Sequence, residues 1–482
     1  MRTLSQILRD RWRGDGGYRE LLKVALPLIA STGMWSIQTI VDRAFLARYS
    51  NADVAASMNG SMANYTIVVL FSTTAAYANT FVAQYIGAKR SERVGLAVWQ
   101  AVFFSLAAGA LLFALAKVTS GVFLLFDHEA DLLDSEVAYY RILMRGSVFL
   151  LAGTALSTFF SGREDTVTVM LVTLLSVVVN VILDYAWIFG RLGFPEMGIR
   201  GAAWATVVSF AVYALGFFLL ILRRRYREQF GTLAGCRLDA ELLRRLIRYG
   251  LPSGISGILE VAVWTGFVLV IGTYGVVEGA ATAVTFSINS LAFMPMVGVG
   301  LAVSTLVGRR QGESSPHLSW RTMWSAFHLT VAYMAVYAVL IVLVPGPFIG
   351  VFSEGAPTHQ FQPVARLTVV LLYYVAAYTV FDGMVSILYS ALRGAGDTVF
   401  PMWTATGLSW GILLVPSLVL HWTGHGTLYR NWTLATAYII VLAIVALFRF
   451  LGGKWRTMRV IEEEIVPPPL APYPDIRRAE IE

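Results

Sequence analysis

Twelve stretches of this 482-residue chain are long, apolar and without a polar face, and that property sets the solvent in which the chain must fold. They run over 22–48, 53–86, 94–117, 136–161, 166–190, 198–222, 246–274, 279–308, 319–352, 363–392, 398–421 and 430–452. Each reaches the roughly 20 residues that a helix needs to cross hydrocarbon. Several exceed it by a turn or more, which predicts tilt or extension into water. A β-barrel would need short alternating segments, so the spans are helical. Composition agrees: 57% of residues are hydrophobic and only 14% charged, with the charges bunched between the runs. A soluble chain of this length would carry charge on most of its helices. The expected fold is an all-α integral membrane protein with twelve transmembrane helices.

Lys and Arg set the orientation. With the N-terminus inside, cytoplasmic segments hold Arg2, Arg9, Arg11, Arg13, Arg19 and Lys23, then Lys89, Arg90 and Arg93, then Arg163, then the cluster Arg223 to Arg248, then Arg309, Arg310, Arg321 and Arg393. Outer segments hold few basic residues, and one is acidic, from Asp127-His128-Glu129 through Asp131 and Asp134 to Glu136. Both termini are therefore expected in the cytoplasm, in a bacterial or archaeal inner membrane. The net charge of +7 belongs to this asymmetry and builds no nucleic-acid surface. Residues 1–18 are polar and basic, without the apolar core of a signal peptide. Cys236 is the only cysteine, which leaves no disulfide and no thiolate metal site.

The chain repeats itself. Leu21-Leu-Lys-Val-Ala-Leu-Pro27 opens the first span and Leu246-Ile-Arg-Tyr-Gly-Leu-Pro252 the seventh. Gly87-Ala-Lys-Arg90 pairs with Gly308-Arg-Arg-Gln311, and Gly162-Arg-Glu-Asp-Thr166 with Gly394-Ala-Gly-Asp-Thr398. The halves start on one side, so the repeat is parallel about an axis along the membrane normal, with substrate between halves that rock. The expected parts are a cytoplasmic segment 1–20, an N-lobe 21–222, a basic linker 223–245, a C-lobe 246–452 and a disordered cytoplasmic tail 453–482.

Five polar side chains inside the apolar spans demand a reason: Asp42, Asn180, Asp184, Glu260 and Asp382. A charge near the bilayer centre costs about 2.5–3.5 kcal/mol even on the lenient insertion scale, so it marks an ion or substrate pathway. At 1.5 Å per residue, Asp42 lies roughly 30 Å and Asp184 roughly 27 Å from the inner starts of their helices, and Thr206 roughly 12 Å from its outer start. All three fall in the outer half of the membrane. Gln38 with Asp42, and Asn180 with Asp184, are i,i+4 pairs that share a helix face. Glu260 and Asp382, roughly 21 and 24 Å in from their helix starts, sit nearer mid-membrane in the other half. Two close carboxylates in low dielectric cannot both stay ionised cheaply, so such a pair can take up a proton near neutral pH. The same oxygens would serve a hard cation such as Na⁺.

With these residues the chain resembles the multidrug and toxic compound extrusion (MATE) family of the MOP flippase superfamily. The features are Pro27 and Gln38-Thr-Ile-Val-Asp42, then Asn180-Val-Ile-Leu-Asp184, Ile188-Phe-Gly190, Gly193-Phe-Pro-Glu-Met-Gly198 and Gly201-Ala-Ala-Trp-Ala-Thr206. In the second half they are Leu259-Glu260-Val261, Phe293-Met-Pro-Met296, Val307-Gly-Arg309, and Phe381-Asp382 running into Leu392-Arg-Gly-Ala-Gly-Asp-Thr398. The resemblance covers residues 20 to 452. It implies two six-helix parallel repeats around a V-shaped central cleft, with a cation site at Asp42, Asn180, Asp184 and Thr206 and a second at Glu260 and Asp382. Gln38 joins the first set through its i,i+4 spacing. The resemblance also implies that the first helix bends around Pro27 when the ion binds. Arg43 departs from the family's small or hydroxyl residue and could hold Asp42 or Asp184 ionised.

The resulting reading is a secondary antiporter that exports amphipathic or cationic small molecules against H⁺ or Na⁺ by alternating access. Its expected partners are drugs or metabolites and the bilayer; a monomer and no cofactor are expected. The alternatives are a lipid-linked saccharide flippase of the same superfamily and, remotely, a membrane-embedded enzyme. No phosphate-binding loop or metalloprotease motif is present. Pro252 and Pro295 read as tolerated kinks. His421 and His425 are too few for a metal site. Trp35, Trp264, Trp403 and Trp410 could line a cavity for flat cations, although most Trp in such chains anchors or packs.

Overall fold

A computed structural model of the chain describes residues 11–125, 129–352 and 358–462. The described residues form twelve membrane-length helices. The N-lobe has α1 (Tyr18–Tyr49), α2 (Asn51–Gly87), α3 (Glu92–Thr119), α4 (Ala130–Ser161), α5 (Thr166–Ile188) and α6 (Gly198–Ile221). The C-lobe has α7 (Ala240–Gly272), α8 (Val276–Gly312), α9 (Pro316–Leu343), α10 (Thr358–Ala395), α11 (Val399–Trp422) and α12 (Leu428–Leu451). Helix starts are set by short polar caps. Ser50 Oγ accepts from Asp53 N, Asp165 Oδ1 from Thr168 N, Asp239 Oδ1 from Leu242 N, and Thr427 Oγ1 from Arg430 N. The Asp239 cap starts α7 at Ala240, so the last residues of the expected 223–245 linker are helical, and the linker holds a short helix of its own, Arg224–Phe230.

Three spans are irregular. α2 is jointed at Tyr77. α11 contains a π-helical turn, Ser409–Leu414, just before Pro416, which brings no N–H to the ladder. α9 stops at Leu343 ahead of Pro345, and a short helix, Pro345–Gly350, follows. Of the acidic segment expected outside, Asp127 and His128 lie outside the described residues, while Asp131, Asp134 and Glu136 ride on the first turns of α4. Arg2 and Arg9 also lie outside the described residues.

Among the described residues the lobes are tied together most firmly at one end. There Asn79 Nδ2 donates to Thr305 Oγ1 at 2.8 Å, Tyr77 OH to the Arg393 carbonyl at 2.8 Å, and Arg309 pairs with Glu164 at 2.7 Å. Backbones touch across the axis: a Cβ on Gly87 would collide with the Arg309 carbonyl, and one on Gly312 with that of Gln84. One hydrophobic core runs through both lobes here, from Leu21, Phe81 and Phe160 to Leu306, Leu392 and Phe450. Toward the other end the N-lobe has separate clusters around Leu46 with Tyr139 and around Leu112 with Tyr140. The result is a V, closed at the face where the described chain begins and ends.

Two expectations are corrected. The second repeat motif is registered four residues off: Gly87 matches Gly312, not Gly308. Both helices end on these glycines, and Lys89 and Ser314 two residues later take φ of +58° and +56°. The turns match bond for bond, Arg90 N to Tyr85 O and Ser315 N to Arg310 O. Gly-Arg-Arg at 308–310 is a composition match that precedes the true turn. Second, residues 453–462 of the tail expected to be disordered are packed, because Trp455 stacks on Phe450 at 4.8 Å and is 1% exposed. The remainder, 463–482, lies outside the described residues.

Candidate transport sites

α1 and α5 pack lengthwise in the N-lobe and turn the same faces toward each other, the faces that carry the i,i+4 pairs. Gln38, Asn180 and Asp184 are buried, and Asp42 is half-buried. With its amide nitrogen turned to the acceptors, Asn180 donates to Asp42 Oδ1 at 2.9 Å and to Asp184 Oδ2 at 3.2 Å, while the Gln38 amide lies 3.3 Å away. The two carboxyl groups are within hydrogen-bonding reach of each other. Asp184 Oδ1 and Gln38 Oε1 are buried and take part in no hydrogen bond among the described residues. Buried oxygens are seldom left so, since an unsatisfied acceptor costs about 1–3 kcal/mol. The cluster thus offers two free oxygens to a proton or a small hard cation.

Thr206 is buried on α6 with its hydroxyl turned back to the Ala202 carbonyl at 3.0 Å, the usual intrahelical bond of a threonine. Arg43 is exposed and stands within electrostatic range of Asp42. Tyr139 of α4, not singled out in the sequence, stands within range of both aspartates, and its oxygen accepts from Ser61 Oγ at 3.4 Å. Its packing against Gly60 needs the close approach of α2 and α4, which no local pattern announces.

The C-lobe pair is built differently. Glu260 of α7 and Asp382 of α10 line one cavity of about 620 Å³, walled by Trp264, Phe286, Phe293, Tyr378 and Tyr438, with Asn289 as a neutral polar group. Met62, Tyr65 and Val69 of α2 close it from the N-lobe, so the cavity lies between the lobes. Glu260 is accessible from the cavity although protein surrounds it. The two acids are within electrostatic range of each other, and no Lys, Arg or His among the described residues lines the wall. A countercharge, Arg393 in the last turn of α10, stands within electrostatic range of Glu260. Sequence placed Arg393 with the cytoplasmic cations, and it does lie at the closed end of the V, the face where the described chain begins and ends; what sequence did not announce is its reach toward Glu260.

Of the four tryptophans weighed for this cavity, only Trp264 lines it, in T-shaped contact with Phe286 at 5.5 Å. Trp35 packs on Phe210 and Tyr213 inside the N-lobe, and Trp403 and Trp410 are exposed and take no part in the cavity wall. The ring nitrogen of His421 meets Thr273 Oγ1 at 3.2 Å.

Two parallel six-helix lobes, an acid-bearing cavity between them and polar clusters within the apolar spans define a polytopic membrane protein of transporter architecture. The MatE family model matches residues 27–186 and 252–417, one match in each lobe, and the chain belongs to that family. It is 28% identical over 449 residues to the probable multidrug resistance protein NorM of Thermotoga maritima, spanning 93% of this chain and 95% of that protein. It is 29% identical over 411 residues to the protein of the same name from Brucella suis, spanning 83% and 85%. In fold it superposes with TM-score 0.82 and 19% identity on a multidrug resistance MATE family transporter of the MOP superfamily in an outward-facing conformation, covering 92% of this chain and 98% of that one.

Proposed function

We propose that the chain is a multidrug exporter that moves amphipathic cations out of the cell in exchange for entering H⁺ or Na⁺ by alternating access, as a monomer in the inner membrane with both termini in the cytoplasm. The observation that carries it is the cavity of about 620 Å³ with aromatic walls and two carboxylates, Glu260 and Asp382, and no basic side chain among its described lining. Aromatic faces attract organic cations at about 0.5–2 kcal/mol each, and an acid in a desolvated wall adds a charge that selects for them. A volume of that order suits a drug-sized molecule. The names of the NorM relatives support the same substrate class.

The coupling ion belongs to the N-lobe cluster in this reading. Asp42 and Asp184 can share one proton, or supply oxygens to Na⁺ together with Asn180 and Gln38; Thr206 would have to turn its hydroxyl from Ala202 to join them. Loading removes the repulsion between two buried carboxylates and shifts the balance between lobe arrangements by its differential affinity for them. Pro27 gives α1 a weak point for that change, since it brings no N–H to the helix ladder. The test is dye accumulation in everted vesicles under an imposed pH or Na⁺ gradient. Wild type should concentrate a fluorescent lipophilic cation and lose it when the gradient collapses; uptake indifferent to both gradients would overturn antiport.

A further inference from the structure

After α12 the chain turns at Gly453, forms a short 3₁₀ turn (Lys454–Thr457), and then crosses from the C-lobe to the N-lobe over the closed end of the V. Its C-lobe anchors are Trp455, whose carbonyl accepts from Gln311 Nε2 at 3.2 Å, and Arg459, which donates to Ser314 Oγ. Val460 and Ile461 are then buried at 0% and 3% exposure. The N-lobe anchors follow. Gln84 Oε1 accepts from Val460 N at 2.9 Å while its Nε2 donates to the Gly394 carbonyl at 3.1 Å, so one side chain ties strap, N-lobe and C-lobe together. Glu462 accepts from Tyr85 OH at 2.8 Å and from Arg93 at 2.7 Å, and its carbonyl accepts from Arg90 at 3.1 Å.

The equivalent segment after α6 behaves otherwise. Phe230, Thr232 and Arg237 dock on α3 of their own lobe, through Trp99 Nε1 to the Thr232 carbonyl and Gln100 Nε2 to the Arg237 carbonyl. The linker stays on one lobe before entering α7, whereas the strap spans both. Every bond of Glu462 to the N-lobe must break when the lobes part at this end, because the other end of the strap is held by Trp455 in the C-lobe core.

We propose that residues 453–462 are a latch that holds this face of the transporter closed and whose release, centred on Glu462 with Tyr85, Arg90 and Arg93, sets how readily that face opens. The inference uses only rocking of two lobes and is independent of which ion or drug is carried. Bonds present in one arrangement and absent in the other shift the equilibrium by their differential free energy. The measurement is a spin-label distance between cysteines introduced at Glu92 and His317, exposed positions on opposite lobes beside the strap, in full-length protein carrying Cys236→Ser. Glu462→Gln should raise the long-distance population roughly three-fold or more, and Tyr85→Phe combined with Arg93→Gln, which leaves the strap itself intact, should do the same. If both variants give the wild-type distance distribution the latch is refuted. If only Glu462→Gln widens it, the effect is loss of strap packing and the proposal fails as well.

Discussion

The two lobes each carry a pair of acids within their membrane-spanning helices, and the pairs differ in what surrounds them. In the N-lobe, Asp42 and Asp184 are drawn onto a single amide, Asn180, between two helices. In the C-lobe, Glu260 and Asp382 face a cavity shared with α2 of the opposite lobe and walled by aromatic rings. In the proposed reading the first arrangement serves the ion and the second the organic cation. A carboxylate's depth in the membrane thus says that it matters, while the packing of its neighbours says what it can bind.

The comparison breaks most visibly at Asp42. Asp42→Asn should lower gradient-driven dye accumulation at least ten-fold while leaving equilibrium binding of tetraphenylphosphonium within about three-fold, because the cavity is built without it. Full gradient-driven accumulation by the variant would move coupling to the C-lobe. The reverse pattern is expected of Glu260→Gln and Asp382→Asn: cation affinity should fall by about 1–3 kcal/mol, roughly 5- to 150-fold, as measured by calorimetry on purified protein. Unchanged affinity in both would reduce the pair to packing. Trp264→Ala sharpens the point with a smaller effect, about 1 kcal/mol weaker binding for aromatic cations, with Trp264→Phe recovering part of it.

Glu462 supplies the control, a carboxylate outside the membrane spans. Burial alone would raise it, but hydrogen bonds from its own backbone and Tyr85 and the charges of Arg93 and Arg90 outweigh that and hold it below the usual glutamate value. A depressed value means that its contribution is present above the unfolded-state value of about 4.3 and lost as pH falls below it. The stability difference between wild type and Glu462→Gln should be flat from pH 8 to about 5 and shrink below; with the group a quarter exposed, it stays under about 1 kcal/mol. A difference that changed between pH 6 and 8 would contradict the assignment.

Much of this was legible in the chain. Apolar runs of bilayer length force helices, because backbone groups have no other partners in hydrocarbon. The i,i+4 spacing placed Gln38 with Asp42 and Asn180 with Asp184 on single faces, and helix rise gave their common depth. Such rules are local, which is why they work from sequence. They failed where long-range contact decides. Arg393 counts as one more interfacial cation until α10 carries it to within range of Glu260. Trp35 and Trp403 looked as suitable for the cavity as Trp264, but packing sends one into the N-lobe and leaves the other exposed away from the cavity wall. Residues 453–462 read as tail because their partners, Gln84, Tyr85, Arg90 and Arg93, lie some 370 residues earlier. Sequence determined the solvent, the twelve helices, the duplication and the acids, all consequences of hydrophobicity and helix period; only the tertiary structure decided which acids meet an amide, which meet a cavity, and which end of the V is tied shut, since those depend on side chains that hundreds of residues separate.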